Sequence, residues 1–88
     1  MKEKFEYKYQ DGTGRLISSQ RSVHGSNTIF MKELIIGDII VIKHPQTLCE
    51  EERKVIVVLS DRSMQIDSPF SSDLISYTVF GFKRKIIQ

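Results

Sequence analysis

Eighty-eight residues with 40% hydrophobic and 27% charged side chains supply one compact core and no second, which sets disorder aside and leaves little wall for a deep enclosed active site. A net charge of +2, from 13 basic and 11 acidic residues, is too balanced to point by itself to nucleic acid or a membrane surface. The single cysteine, Cys49, forbids a disulfide within the chain and fits a reducing compartment, so an intracellular location, cytoplasmic or nuclear, is expected.

The chain opens MKEKFEYKYQ, charged and without the apolar run of a secretory signal. No later stretch approaches the length of a membrane span, and neither Lys2 nor the closing KRKIIQ fits a lipidation motif. Phe5, Tyr7 and Tyr9 alternate with Lys4, Glu6, Lys8 and Gln10, the period-two pattern of a half-buried strand. DGTG (Asp11 to Gly14) offers two glycines for positive φ. RLISS is therefore expected to return as the second strand of an N-terminal hairpin, residues 1–19, packed loosely against a core at 28–88. SSQRSVHGSNT follows at 18–28, polar but for Val23, and reads as a long loop, mobile or functional.

IFMKELIIGD leaves room for a short helix at Ile29–Leu34, but Gly37 and Asp38 allow it barely two turns, and a strand at Thr28–Met31 leading into a turn is favoured. IIVIKH (Ile39–His44) is β-branched at four successive positions, which penalises helix and suits a strand covered on both faces. The Leu-x-x-Gly-Asp that precedes it reads as a barrel corner. Leu34 would cover the open end, Gly37 would take the left-handed conformation, and Asp38 would accept backbone N–H groups across the turn. Pro45 ends the strand, and QTLCEEER reads as a charged connection with room for one helical turn.

KVIVVLSDRSMQID is the clearest hairpin, with strands at Val55–Leu59 and Met64–Asp67 about a turn at Ser60–Ser63. SPFSSDL is irregular, with Phe70 and Leu74 expected inward, and YTVFGFKRK is a last strand with aromatic residues on both faces. Short strands at this spacing, with no long helix, predict a single all-β domain spanning 1–88: a small SH3-like or related five- to seven-stranded barrel with an N-terminal hairpin.

GDIIVIKHP followed by RKVIVVLSDR resembles the core of the type I signal peptidases, in which a Gly-Asp strand precedes a Lys-Arg-Val strand and a Gly-Asp turn; the likeness covers about a third of the chain. In that family a serine nucleophile lies eight residues before the glycine of Gly-Asp and a lysine serves as its base. Here those positions fall on Ile29 and, with the turn aspartate matched to Asp61, on Arg53. Isoleucine carries no nucleophile and arginine stays protonated. Lys54 is one residue off, on the opposite strand face. The resemblance therefore implies shared barrel grammar and no peptidase activity.

Other chemistry is thinly represented. His24, His44, Cys49 and Glu50 to Glu52 match no zinc spacing and read as solvated loop side chains, so no metal and no cofactor is expected. The many serines include no nucleophile elbow, and DGTGR lacks the third glycine and following helix of a phosphate-binding loop. A non-enzymatic protein-interaction module is expected, one piece of a larger assembly. Another protein would be gripped by an edge strand or aromatic groove through Tyr7, Tyr9, Arg21, His24, Phe70 and Lys83. Phe70 is either a core plug or an exposed anchor, with the plug favoured. The alternative is a single-stranded nucleic-acid binder using Lys4, Lys8, Lys83, Arg84 and Lys85, which form one basic surface beside aromatic faces if the terminal strands are neighbours. A lipid-binding barrel of the pleckstrin type is a third reading, weakened because no C-terminal amphipathic helix is visible.

Overall fold

The alternation at the N-terminus continues through one 15-residue strand, β1 (Phe5–Ser19), in the computed structural model of the chain, which describes residues 5–87. The turn expected at DGTG is a bulge instead, where the pairing register with the last strand shifts between Asp11 and Arg15. Both glycines explain why the strand bends there and does not reverse. A Cβ on Gly12 would collide with the Phe80 ring, and Gly14, at φ +85°, would drive one to 2.5 Å from the Ser26 carbonyl oxygen. The reversal comes at Gln20, φ 53°, and Arg21. The N-terminal hairpin thus runs to β2 (Ser22–Ser26), and the stretch read as a loop contains a strand whose Val23 is fully buried.

The strand expected at Thr28–Met31 is one helical turn, α1 (Phe30–Glu33). What decides it is tertiary. Phe30 is fully buried and meets Phe80 edge-on, ring centroids 6.2 Å apart. Asp61, on the β-hairpin opposite, holds the turn in place. Its carbonyl accepts from the Phe30 N–H (3.2 Å) and Thr28 Oγ1 (2.6 Å), and its Oδ1 accepts from the Met31 N–H (3.0 Å).

The Gly-Asp corner is as the sequence implies. Leu34 is buried, Gly37 sits at φ +98° with nothing near its missing Cβ, and Asp38 Oδ2 accepts the Ile35 N–H at 2.9 Å. β3 (Ile39–Lys43) starts directly after it. The connection QTLCEEER makes a single uncontinued turn, closed by the Leu48 N–H to the His44 carbonyl at 2.8 Å, and β4 (Glu50–Ser60) begins within its acidic half. β5 (Ser63–Ile66) and β6 (Thr78–Ile87) complete the set.

The six strands close into an antiparallel barrel in the order β1-β2-β5-β4-β3-β6, consistent with the SH3-like class. Inward positions carry Leu16, Ile40, Ile42, Val55, Met64 and Phe82, with Phe30, Phe70 and Leu74 packed onto the same core from the connections. β1 closes the wall by pairing with both β2 and β6, but residues 5–11 pair with β6 alone. β6 pairs with β3 as far as Lys83, so beyond it residues 5–8 of β1 and 84–87 of β6 form a two-stranded arm, and the molecule measures 44 × 28 × 20 Å. Among the described residues no helix is long and apolar enough to cross a membrane.

Candidate functional site

Cross-strand pairs share a face, so the β1–β6 register decides what the terminal residues can do together. The two terminal strands are neighbours. Tyr7 stands opposite Lys85 and Tyr9 opposite Lys83 on the outer face, whereas Lys8 stands opposite Arg84 on the other. Tyr7 and Tyr9 are 54% and 52% exposed. Tyr7 and Lys83 line a shallow hollow with Ile39 and Glu52, and Tyr9 lines a second with Val41, Lys43, Glu50 and Val79. The Tyr9 ring lies over Gly81, where a Cβ would strike it. Partial burial, then the charge and hydrogen bond of Asp11 and the charge of Glu50, raise the Tyr9 phenol above its ordinary pKa.

Carboxylates run through this face. Lys83 Nζ is ion-paired with Glu52, and Glu50 and Asp11 flank Tyr9. Arg84 is spent elsewhere. Its Nε and Nη2 grip both oxygens of Asp38 (2.9 and 2.7 Å), and Nη2 also donates to the Glu33 carbonyl at 2.9 Å. Lys4 lies outside the described residues.

The remaining expected contact residues are not beside Tyr7. Arg21 occupies the β1–β2 turn, at the far end of β1, where its carbonyl accepts the Ile66 N–H at 3.0 Å. His24 is exposed on β2 beside Ile17 and Ser63. Phe70 is not an exposed anchor. It is 4% exposed within the core, and the Arg53 guanidinium lies 5.4 Å from its ring centroid. Arg53 also donates Nε to the Pro69 carbonyl at 2.8 Å, which makes it a clamp on this segment.

His44 is likewise not a solvated loop side chain; it is fully buried. Its Nε2 lies 3.0 Å from Ser72 Oγ, a spacing that resembles a nucleophile and its base. The other nitrogen argues against that use. Nδ1 accepts the Gln46 N–H at 3.2 Å, which places the proton on Nε2, where the Ser72 carbonyl accepts it at 2.9 Å. A protonated Nε2 has no lone pair to take the Ser72 proton, and Ser72 Oγ donates instead to Gln46 Oε1 at 3.0 Å. The group is a knot that ties the 69–74 segment to the β3–β4 connection. Among the described residues no cluster of His, Cys, Asp or Glu is placed to hold a metal ion.

Glu51 fastens the same segment. Its side chain, 11% exposed, accepts from Ser71 Oγ (2.5 Å) and the Ser71 N–H (2.8 Å) and lies 3.4 Å from Arg53. Burial acts to raise its pKa, but the two Ser71 hydrogen bonds lead the contacts that outweigh burial and hold it below the ordinary glutamate value. A carboxylate depressed on folding stabilises the native state above its unfolded pKa and loses that contribution as the pH falls through the folded one. Acid titration of stability is therefore expected to show a loss below the ordinary glutamate range that is absent in Glu51→Gln. Equal acid slopes in the two proteins would contradict this.

One surface was not anticipated. The segment from Ile29 to Gly37 runs beside the second half of β4, tied by Phe30 N–H to Asp61 C=O (3.2 Å) at one end and Gly37 N–H to Val55 C=O (2.9 Å) at the other. Met31, Ile35, Ile36 and Leu59, each more than half exposed, lie on these two segments, with Ile29 and Ile56 at their margins. The signal was in IFMKELII and VIVVL, which hold more apolar side chains than one helical turn and one strand face can turn inward. No protein-family model, no curated protein and no solved structure matches the chain.

Proposed function

We propose that the chain is a non-enzymatic protein-interaction module, a piece of a larger assembly, and that the α1–β4 strip is its main contact surface. The observation that supports this reading is the exposure of Met31 (65%), Ile36 (68%), Ile35 and Leu59 on two adjoining segments. Exposed apolar side chains gathered on neighbouring segments are characteristic of contact sites. Lys32 and Lys54 are exposed on the same segments and Arg62 in the turn that follows β4, polar neighbours of the kind that border contact sites.

Met31→Asp with Ile36→Asp tests the reading. Both side chains are exposed, so the stability change is expected to stay within about 0.5 kcal/mol per site. The double variant is expected to lose a partner that the wild-type chain retains from the source cells. Retention of the same partner by both would remove the strip from the account.

A second reading, single-stranded nucleic-acid binding, is favoured by the pairing of Tyr7 with Lys85 and of Tyr9 with Lys83 on one face. It is opposed by the carboxylates of Glu50, Glu52 and Asp11 on that face. Retention on a single-stranded oligonucleotide that falls steeply with salt would favour it, and a flat salt response would exclude it.

A further inference from the structure

We infer that the β1 arm is a self-association surface, and that two copies of the chain pair β1 to β1, antiparallel, with Tyr7 at the twofold axis. This goes beyond the α1–β4 reading and uses none of its residues. Among the described residues, 5–11 have β6 on one side and no strand on the other, and side chains 6–10 are exposed. A two-stranded ribbon reaching past a barrel is marginal alone, and its open edge is a template for another strand. A second β1 would extend the arm to a four-stranded sheet in the order β6-β1-β1-β6.

Charge selects the occupant and its register. Keeping the outer faces of the two copies continuous requires the twofold axis to pass through a residue, because a one-residue slip would set outward against inward side chains. Centring on Glu6 or Lys8 sets that residue opposite its own copy, like charge against like. Centring on Tyr9 sets Tyr7 opposite Asp11 and Lys8 opposite Gln10, with no ion pair. Centring on Tyr7 sets Glu6 opposite Lys8 of the second copy, twice by symmetry, with the two Tyr7 rings side by side. Within one chain Lys8 already stands opposite Arg84. Glu6 of the second copy brings the counter-charge to its other side.

Sedimentation analysis of the full chain over a concentration series tests this with Glu6→Lys, Lys8→Glu and the double variant. Wild type is expected to dimerise. Each single reversal sets like charges opposite at two places, so each is expected to weaken association roughly tenfold or more. The double variant restores opposite charges and is expected to dimerise again. An equimolar mixture of the two single variants is expected to form a heterodimer, which also shows that both are folded. A wild type that stays monomeric throughout overturns the inference. So does a dimer indifferent to the single reversals, or a mixture that fails to associate.

Discussion

Replacing Arg84 with alanine is expected to lower the unfolding free energy by about 3 kcal/mol, read as a fall in the denaturation midpoint with an unchanged m-value. Asp38 is 2% exposed and its carboxylate is held by the two guanidinium bonds and the Ile35 N–H. Without Arg84 a buried charge keeps one donor. Breaking such a pair costs roughly 3–5 kcal/mol, and the lower end applies because Arg84 is itself 43% exposed, so water reaches part of the vacated site. In a domain of this size that shift is about 12–24 °C in Tm. Arg84→Lys is expected to fall between the two, since an ammonium keeps the charge but not the fork, nor the stack over Phe82, 5.6 Å from the guanidinium to the ring centroid. A loss below 1 kcal/mol for alanine would mean that the Asp38 corner holds without its clamp. Weakened oligonucleotide binding in an Arg84 variant is not evidence of a lost phosphate contact unless its stability is matched.

Phe70→Ala is expected to cost about 3–5 kcal/mol, the range for removing a buried phenylalanine from a packed core. The ring fills the barrel end reached by the 69–74 segment, whose other ties are Arg53 to the Pro69 carbonyl, Glu51 to Ser71 and His44 to Ser72. Losing the plug therefore loosens three polar attachments as well. Phe70→Leu, which restores most of the volume, is expected to recover the larger part of the loss. A surface anchor would behave in the opposite way, with unfolding unchanged and only binding affected.

The architecture was legible where a residue type leaves the backbone little choice. Ile39 to Ile42 are β-branched, Gly37 takes positive φ, and the Asp61 turn separates two aliphatic runs; each feature is local, and each predicted its element. Errors arose where a distant residue decides. DGTG has the composition of a hairpin turn, yet the Phe80 ring and the Ser26 carbonyl convert it into a bulge. Phe30 and Met31 suit strand or helix equally, and Asp61, some thirty residues on, selects the helical turn. His44 looked like a loop side chain because nothing in the sequence places Ser72 beside it. At the surface, alternation identified Tyr7 and Tyr9 but could not show that Arg84 turns to Asp38 while Lys83 meets Glu52. The α1–β4 strip was hidden for the converse reason: isoleucines on a small domain are read as core until the space inside is known to be full.

Hydroxyl-radical footprinting, which labels methionine, tyrosine and aliphatic side chains, tests the central claim most directly, comparing the isolated chain with the chain in the proposed assembly. Met31 is 65% exposed and Met64 fully buried, so in isolation Met31 is expected to be labelled rapidly and Met64 to be protected. In the assembly Met31 is expected to become protected together with Leu59 and Ile36. Undiminished labelling of Met31 in the assembly would contradict the claim, and protection of Tyr7 and Tyr9 in its place would move the contact surface to the β1 arm.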